Sequence, residues 1–279
     1  MAIKGWLNLN GDYIEEKTPV IRADNRAFRY GDGLFETMKV VVGSIRLRDL
    51  HFERLFRGME TLQINLQGFI NADLFEEQIM KTILKNRISG PARVRLTVYR
   101  GDGGLYDFNN TSAGYVIQVW SLSSSSMMMN DQGLKVGLYE RNRKPMDELS
   151  NVKSNNYLLY AMGAIQAKKY QHNDCIILNT SGRVCDSTIA NVFYVKDGSI
   201  FTPPLTEGCV AGVMRSYLLS ELPASGYNVT EKETSVDDLL EADEMFLTNA
   251  VSGLRWVGEF KGKVYGNTLA SKIFHSTIQ

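Results

Sequence analysis

The first part of the chain alternates between the strand period and the helix period. Strand-like alternation runs through GWLNLNGDYIEE, MKVVVGSIRLRDL, ARVRLTVYR and YVIQVWSL, and it predicts tight turns at Asn10-Gly11 and Gly43-Ser44. Helical spacing appears in LHFERLFRGMETLQI and, behind a predicted cap at Asn71, in ADLFEEQIMKTILKNR. This part is therefore predicted to be an α+β unit dominated by antiparallel pairing. Its predicted helix faces consist of Leu50, Leu55, Met59 and Leu62 in the first helix and Phe75, Ile79, Ile83 and Leu84 in the second.

The chain beyond residue 133 changes its period several times. LKVGLYE is predicted as a strand, and SNNYLLYAMGAIQAKKY as a helix capped by Ser154. Short strands follow in CIILNTSGRVCDSTIANVFYVKDGSIFTP, with turns at Ser181-Gly182 and Asp197-Gly198. AGVMRSYLLSEL is predicted as a helix, Ser235 as the cap of VDDLLEADE, and both MFLTNAVSGLRWVGEF and KGKVYG as strands. One face of the helix after Ser154 is predicted to consist of Tyr157, Leu158, Ala161 and Ile165.

The length of 279 residues exceeds the usual size of one hydrophobic core, which favours two domains. The segment SLSSSSMMMNDQG, residues 121–133, is polar, serine-rich and ends in glycine, so it is predicted to connect them. We therefore expect an α/β protein with a small α+β domain over residues 1–120. A larger domain over residues 134–279 is predicted to be a mixed, barrel-like β structure flanked by helices, and it includes Lys153.

Charge and composition exclude several classes of function. The 31 Lys+Arg balance the 31 Asp+Glu, whereas a nucleic-acid binder needs a basic excess. No run approaches the ~20 apolar residues of a membrane span, and MAIKGWLNLNGDYIEE turns polar too soon for a signal peptide. The three cysteines lack CxxC spacing, and the three histidines lack metal-ligand spacing. A cytoplasmic protein without a metal is the simplest expectation.

Six motifs, in four segments that lie far apart along the chain, match one chemical task. They are GDGLFET with HFERL, VKSNNY around Lys153, VCDSTIANVFYVKDG with Asp186 ahead of Asn191, AGVMR, and FLTNAVSG. In this order the chain resembles the class IV aminotransferases, the fold-type IV pyridoxal-phosphate (PLP) enzymes. The resemblance covers nearly the whole chain, and this family includes branched-chain aminotransferases, D-amino-acid transaminases, (R)-amine transaminases and 4-amino-4-deoxychorismate lyases. It implies a homodimer with PLP held between two domains.

The resemblance assigns the covalent attachment of PLP to Lys153 and the partner of the pyridine nitrogen to Asp186. A lysine amine attacks an aldehyde only when it is deprotonated, and desolvation or a cationic neighbour favours that form. A carboxylate beside the ring nitrogen keeps the ring able to accept electron density. Aspartate is one methylene shorter than the glutamate usual in the family. The alternatives are a surface lysine and an aspartate that caps a short loop.

The remaining cofactor contacts also follow from the resemblance. Arg54 matches the phosphate-binding arginine, and its alternative is pairing with Glu53 or Glu60 on an exposed helix face. Tyr157 matches the residue that bonds the phenolic oxygen of the cofactor, and its alternative is a core tyrosine. Further phosphate contacts are implied for the backbone at the start of one helix and for a second segment, at Val213, Met214, Asn249 and Ala250.

Substrate recognition is predicted to involve Arg95, Arg100 and, from the partner subunit, Tyr30. Alternation places Arg93 and Arg95 on one strand face, where an inward arginine needs an anion such as a substrate carboxylate. The alternative is an edge strand with outward charges. The lyases commonly carry RGxGGRGY, whereas this chain has RGDGGLY with Leu105 in place of arginine.

The function predicted from these residues is PLP-dependent transfer of an amino group between an amino acid, of branched-chain or D-amino-acid type, and a 2-oxo acid. A first alternative is a lyase that releases 4-aminobenzoate and pyruvate from aminodeoxychorismate. A second is a non-catalytic scaffold, which the shortened Asp186 favours. The expected partners are small molecules, with neither nucleic acid nor membrane.

Overall fold

The chain divides into two compact units. The computed structural model describes residues 5–66, 68, 70–106 and 113–278. Unit 1 comprises Met1–Ser124 and Val152–Asn156, and unit 2 comprises Ser125–Asn151 and Tyr157–Gln279. We expected Lys153 to belong to the larger domain, whereas the short segment that carries it packs with unit 1.

Unit 1 is an antiparallel sheet with helices packed on one face. Its six strands pair in the order β2-β1-β6-β5-β3-β4, which confirms the predicted antiparallel α+β architecture. Because β5 lies between β3 and β6, the alternative of an edge strand for Arg95 is wrong. The elements are β1 (Trp6–Leu9), β2 (Asp12–Glu15), α1 (Arg26–Tyr30), β3 (Gly33–Val41), β4 (Ser44–Ile45), α2 (Arg48–Thr61), α3 (Ala72–Lys85), β5 (Ala92–Arg100) and β6 (Ala113–Ser121).

Of the two hairpin turns predicted in unit 1, one lies at the predicted residues and the other is shifted. Asn10 and Gly11 connect β1 to β2 with φ of 54° and 101°, as predicted. The second turn lies one residue earlier than predicted, at Val42 and Gly43, with φ of 51° and 69°. Ser44 instead pairs with Val41 in the ladder. A two-residue turn of this type needs positive φ at both central positions, and here the valine takes one of them.

Helices α2 and α3 bury their apolar faces in the core of unit 1. Asn71 caps α3 by accepting a 2.9 Å hydrogen bond from the backbone N–H of Leu74, as predicted. Phe75 and Ile79 are fully buried in this core. Leu84 was predicted to belong to the same face but is 73% exposed. Ile83, the residue before it, occupies the buried face instead.

Unit 2 is built on a mixed sheet. Its main path runs β12-β11-β10-β13-β14-β7-β8-β9, with β15 paired to β14. Strands β14, β7 and β8 are parallel neighbours, as are β11 and β12, and the other pairs are antiparallel. The elements are β7 (Leu134–Lys144), α4 (Leu158–Lys169), β8 (Asp174–Asn179), β9 (Val184–Ser187), β10 (Asn191–Lys196), β11 (Ser199–Thr202), α5 (Val213–Ala224), β12 (Val229–Glu231), α6 (Val236–Glu241), β13 (Glu244–Asn249), β14 (Gly253–Phe260), β15 (Lys263–Val264) and α7 (Thr268–Ile273).

Local signals in unit 2 were mostly correct. Gly182 adopts φ of 78°, and Asp197-Gly198 form a turn with φ of 50° and 74°. Ser235 accepts from the N–H of Asp238, whose carboxylate accepts from the N–H of Ser235, so the predicted cap of α6 is a complete capping box. Gly212 precedes α5, as predicted.

The predicted start and buried face of α4 are wrong. The helix begins at Leu158, after the N-cap residue Tyr157, and not behind Ser154. Leu158 and Ile165, predicted to be buried, are 72% and 61% exposed. The buried residues of α4 are instead Tyr160, Gly163 and Ala167. Ala161, also assigned to the buried face, is exposed.

Candidate active site

Asp186 is the centre of a buried polar cluster in unit 2. It lies in β9 with 2% of its surface exposed. Its Oδ2 accepts hydrogen bonds from Lys144 Nζ at 2.9 Å, from the Tyr160 hydroxyl at 2.7 Å and from the Val210 N–H at 3.0 Å. Its Oδ1 accepts from Asn191 Nδ2 at 3.0 Å. Asp186 is thus a fixed buried carboxylate within a strand, and the alternative of a loop-capping aspartate is wrong.

Three elements deliver the donors of this cluster. Lys144 ends β7 with 6% exposure, and Tyr160 lies in the first turns of α4. Burial and the charge of Asp186 together raise the pKa of Tyr160 well above its ordinary value, so Tyr160 is a proton donor to the carboxylate at neutral pH. Lys144 Nζ also lies 5.1 Å from the centre of the Tyr160 ring. The ammonium therefore has two partners.

The start of α5 lies beside the Asp186 cluster. The amide nitrogen of Asn191 bonds to both Asp186 Oδ1 and, at 2.9 Å, the carbonyl of Val210. A Cβ atom on Gly212 would lie 1.8 Å from Asn191 Oδ1, so only glycine fits this approach. Gly212 offers no side-chain cap, and the first turn of α5 contains no acidic residue. Val213 and Met214 thus open a helix whose N–H groups and dipole suit an anion.

Two other predicted cofactor contacts also lie in unit 2. Asn249 ends β13, and its side-chain oxygen accepts from the N–H groups of Val251 and Ser252 at 3.0 Å and 2.8 Å, which shapes the turn that contains Ala250. Tyr157 is half-buried, and its ring centre lies 4.5 Å from that of Tyr160. Tyr157 is therefore attached to the Asp186 cluster through an aromatic pair rather than to the deep core.

Lys153 lies on the sheet of unit 1, beside β3. Its carbonyl accepts a 2.9 Å hydrogen bond from the Phe35 N–H, and the Asn155 N–H donates to the Gly33 carbonyl at 2.8 Å. The Lys153 Nζ is 4.6 Å from the centre of the Phe35 ring, and the Arg95 guanidinium carbon is 3.6 Å from the same ring centre. Lys153 is half-buried, so it is not the ordinary surface lysine of the alternative. Two cationic side chains thus share one buried aromatic ring.

Arg54 forms a closed charge cluster in unit 1. Its Nε and Nη2 donate to the two oxygens of Glu36 at 2.7 Å and 2.6 Å, and His51 Nδ1 lies 2.6 Å from Glu36 Oε2. Burial alone would raise the pKa of Glu36, but the charges and hydrogen bonds of Arg54 and His51 outweigh burial and lower it to about 2. Arg54 is therefore bound by Glu36 and not by Glu53 or Glu60, as the alternative supposed.

The two other predicted substrate residues differ: Arg100 has structural partners, and Tyr30 is exposed. Arg100 Nε donates to Asp32 at 2.9 Å, and its Nη atoms donate to the carbonyls of Leu62 and Gln63 at 2.6 Å and 3.0 Å. Tyr30 ends α1 and is 44% exposed. Arg100 thus anchors the end of β5, whereas Tyr30 is accessible.

Three residues that the sequence reasoning missed take part in the two clusters: Glu36, Lys144 and Tyr160. Glu36 had a local signal, because it occupies an inward position of the strand LFETMKVV between the core residues Leu34 and Met38. Lys144 had none, since its partner lies 42 positions away in the chain. In the part of the chain that the structure describes, no group of His, Cys, Asp or Glu side chains is arranged to hold a metal ion, and no helix combines the length and apolar character of a membrane span.

Comparison with known proteins agrees with this architecture. Residues 33–260 match the family model of amino-transferase class IV, and the chain belongs to this family. An aminodeoxychorismate lyase of Vibrio harveyi is 30% identical over 232 residues, covering 82% of this chain and 83% of that protein. A putative branched-chain-amino-acid aminotransferase of Methanocaldococcus jannaschii is 27% identical, covering 95% and 91%.

A solved structure shares the fold. The branched-chain aminotransferase of Thermoproteus uzoniensis, solved with norvaline, superposes with a TM-score of 0.89 at 22% identity, covering 98% of this chain and 93% of that chain. The mixed α/β fold with a curled half-barrel sheet, predicted from the resemblance to fold-type IV enzymes, is confirmed.

The residues of both units fit the cofactor that class IV aminotransferases use, PLP. In unit 2, the buried carboxylate of Asp186 matches a ring nitrogen. The uncapped start of α5, three residues after Val210, matches a phosphate. Thr248 adds a buried hydroxyl oxygen with no hydrogen-bond partner among the described residues, directly before Asn249. Unit 1 offers a half-buried primary amine. Taken separately, the donors of unit 2 agree with an anionic ligand that carries a basic ring, and the amine of unit 1 agrees with an aldehyde.

Proposed function

We propose that this chain is a PLP-dependent aminotransferase that moves an amino group between an amino acid, of branched-chain or D-amino-acid type, and a 2-oxo acid. The observation that carries the proposal is the pairing, inside unit 2, of the buried Asp186 carboxylate with the uncapped start of α5. The Oδ1 atom of Asp186, which accepts one hydrogen bond from the described residues, suits a basic ring nitrogen, and the start of α5 suits a phosphate.

Each candidate residue has a role in this proposal. When bound, PLP supplies an aldehyde that condenses with amines and a ring that accepts an electron pair from the substrate. Lys153 Nζ would hold the aldehyde carbon and, once released by the substrate amine, would carry the proton removed from the substrate Cα. Asp186 would accept from the ring N–H, and Tyr157 would donate to the phenolic oxygen. The phosphate is assigned to Arg54, Val213, Met214, Asn249 and Ala250.

Substrate binding is assigned to Arg95, Arg100 and Tyr30. Arg95 supports this role best, because its guanidinium stacks on the same Phe35 ring that Lys153 Nζ faces. A guanidinium there suits a substrate carboxylate. Arg100 is assigned to substrate binding from the end of β5, where Asp32 holds it, and Tyr30 is assigned to the site of a partner subunit in a homodimer. The dimer and a cytoplasmic location stay predictions.

Reductive trapping tests the proposed attachment. The protein is mixed with PLP, reduced with borohydride, digested and mapped by mass spectrometry. We expect one phosphopyridoxyl group on Lys153, and none at that position in Lys153→Ala or Lys153→Arg. Lys144 is a built-in control, because it is buried against Asp186. Trapping on Lys144, or equal trapping in Lys153→Ala, would contradict the proposal.

A second candidate is the aminodeoxychorismate lyase reaction. It is supported by the 30% identity to the lyase of Vibrio harveyi, and Leu105, which stands where lyases commonly have arginine, opposes it. The two reactions differ in their need for an acceptor. Pyruvate release from aminodeoxychorismate without any 2-oxo acid supports the lyase, whereas conversion of the cofactor to its amine form by L- or D-amino acids alone supports the aminotransferase. A protein that does neither is the scaffold of the second alternative.

A further inference from the structure

The two oxygens of Asp186 are not equivalent. Three donors converge on Oδ2, namely Lys144 Nζ, the Tyr160 hydroxyl and the Val210 N–H. Among the described residues, Oδ1 accepts only from Asn191 Nδ2. A carboxylate oxygen has about two in-plane acceptor positions. Oδ2 is therefore saturated, and the remaining acceptor position of the carboxylate belongs to Oδ1.

Lys144 is the only cation among these donors. Its Nζ lies 2.9 Å from Oδ2, and the lysine and aspartate side chains are 7% and 3% exposed. Charge pairs at this depth interact more strongly than on the surface, because water screens them little. Tyr160, Val210 and Asn191 fix the direction of the carboxylate but add no net charge. Lys144 therefore offsets most of the negative potential that Asp186 directs at a neighbouring group.

We propose that Lys144 is a positioning and charge-setting residue for Asp186: it occupies Oδ2, leaves Oδ1 to the ring nitrogen of PLP, and weakens the hold of the carboxylate on the ring proton. The proposal rests on the proposed function, because it takes Asp186 as the partner of the ring nitrogen. Removing the charge of Lys144 should strengthen the interaction with the ring nitrogen and leave contacts with the phosphate and the aldehyde carbon unaffected.

A pair of ligands that differ only at the ring nitrogen isolates this effect. Dissociation constants are measured for PLP and for its 1-deaza analogue, in which CH replaces the ring nitrogen, by absorbance or fluorescence titration. The ratio of the two constants is the nitrogen selectivity. In Lys144→Met we expect the nitrogen selectivity to rise about tenfold or more, because an uncompensated carboxylate attracts the ring N–H at full charge. Lys144→Gln, the second neutral variant, should show the same rise if Lys144→Met folds poorly.

Three controls separate this effect from a general structural one. Lys144→Arg keeps the charge and should keep the wild-type selectivity. Lys39→Met removes a second buried lysine, in β3 of unit 1, and should also leave the selectivity unchanged. In an Asp186→Asn background, Lys144→Met should have no effect on selectivity, since the effect acts through that carboxylate.

The outcomes distinguish the two proposals. If Lys144→Met and Lys144→Gln weaken both ligands equally, so that selectivity stays at the wild-type value, Lys144 is structural and the inference is overturned while the proposed function stands. If the wild-type protein binds PLP with no selectivity over the deaza analogue, the assignment of Asp186 to the ring nitrogen is wrong. Failure of the wild-type protein to take up PLP at all overturns both proposals.

Discussion

Each unit buries one carboxylate with a basic partner, and the two arrangements differ in completeness. In unit 1, Arg54 holds both oxygens of Glu36 in a bidentate pair and His51 adds a third contact. In unit 2, Asp186 keeps an acceptor position on Oδ1 among the described residues. Because Arg54 and His51 fill both oxygens of Glu36, we interpret this carboxylate as structural and call its group the closed cluster. Asp186 keeps an acceptor position for a ligand, and we call its group the open cluster. The number of filled acceptor positions thus separates a structural carboxylate from a candidate functional one.

The basic partners differ in kind as well. The guanidinium of Arg54 cannot lose its proton, and its planar fork matches a carboxylate. The ammonium of Lys144 is a compact charge on a flexible stem, and it also faces the Tyr160 ring at 5.1 Å. Breaking the Arg54–Glu36 pair and breaking the Lys144–Asp186 pair should therefore lower the free energy of unfolding by different amounts, which makes the comparison testable.

The largest effect is expected from Glu36→Gln. It leaves the buried guanidinium of Arg54 without its anion, and we expect the free energy of unfolding to fall by about 3–5 kcal/mol, measured by urea denaturation. Glu53→Gln is the matched control, because Glu53 lies on α2 next to Arg54, is 66% exposed and pairs with Arg57 at 3.7 Å. That change should stay within about 0.5 kcal/mol. A loss below about 1 kcal/mol for Glu36→Gln would show that the pair is not a buried charge pair in solution.

The next largest effect is the pH dependence of folding stability that Glu36 causes. Its pKa falls from the ordinary 4.5 to about 2 in the folded state, so the folded form binds fewer protons than the unfolded form between these values. The stabilisation is complete above pH 4.5 and is lost as the pH falls toward 2, by about 3 kcal/mol in total.

The measurement is the difference in unfolding free energy between wild type and Glu36→Gln at several pH values. The difference cancels the other carboxylates, including Asp238, whose pKa is also lowered to about 2. It should shrink steadily from pH 5 to pH 2. A difference that stays constant over this range would mean that Glu36 is not ionised in the folded protein.

Asp186→Asn is expected to cost less stability than Glu36→Gln. The asparagine oxygen can still accept from Tyr160 and Val210, and the flexible Lys144 side chain keeps the Tyr160 ring as a partner. We therefore expect the free energy of unfolding to fall by about 1–3 kcal/mol in urea denaturation. The same variant should lose its preference for PLP over 1-deaza-PLP. Equal losses for Asp186→Asn and Glu36→Gln would remove the distinction between the open and the closed cluster.

The sequence predicts the secondary structure well where one period dominates. Asn71, Ser235 and the Asn10-Gly11 turn act through bonds to their own neighbours, so a short window contains the whole cause. The start of α4 was missed for a physical reason: Ser154 pairs with β3 of unit 1, and this pairing is decided by residues 120 positions earlier. Local propensity has no access to such a partner.

The candidate site divides in the same way. The sequence predicts Lys153 and Asp186 as site residues because motifs carry them, and it predicts the start of α5 from the glycine in AGVMR. Their surroundings could not be found: nothing near Lys144 indicates that it meets Asp186, and nothing near Arg95 indicates that it shares the Phe35 ring with Lys153. The charge state of a site depends on such distant partners, so sequence identifies the reactive groups before it identifies what tunes them.

The smallest effect is expected from Gly212→Ala, which tests how rigid the open cluster is. The new Cβ would lie 1.8 Å from Asn191 Oδ1, and Asn191 cannot move freely because its amide nitrogen bonds both Asp186 and Val210. We expect a loss of about 1–2 kcal/mol in unfolding free energy from overpacking, together with weaker PLP binding. Gly266→Ala is the control, since a Cβ there meets no described atom within 4 Å. If Gly212→Ala weakens binding of PLP and of pyridoxal without its phosphate to the same degree, the start of α5 does not hold the phosphate, and the open cluster is confined to Asp186.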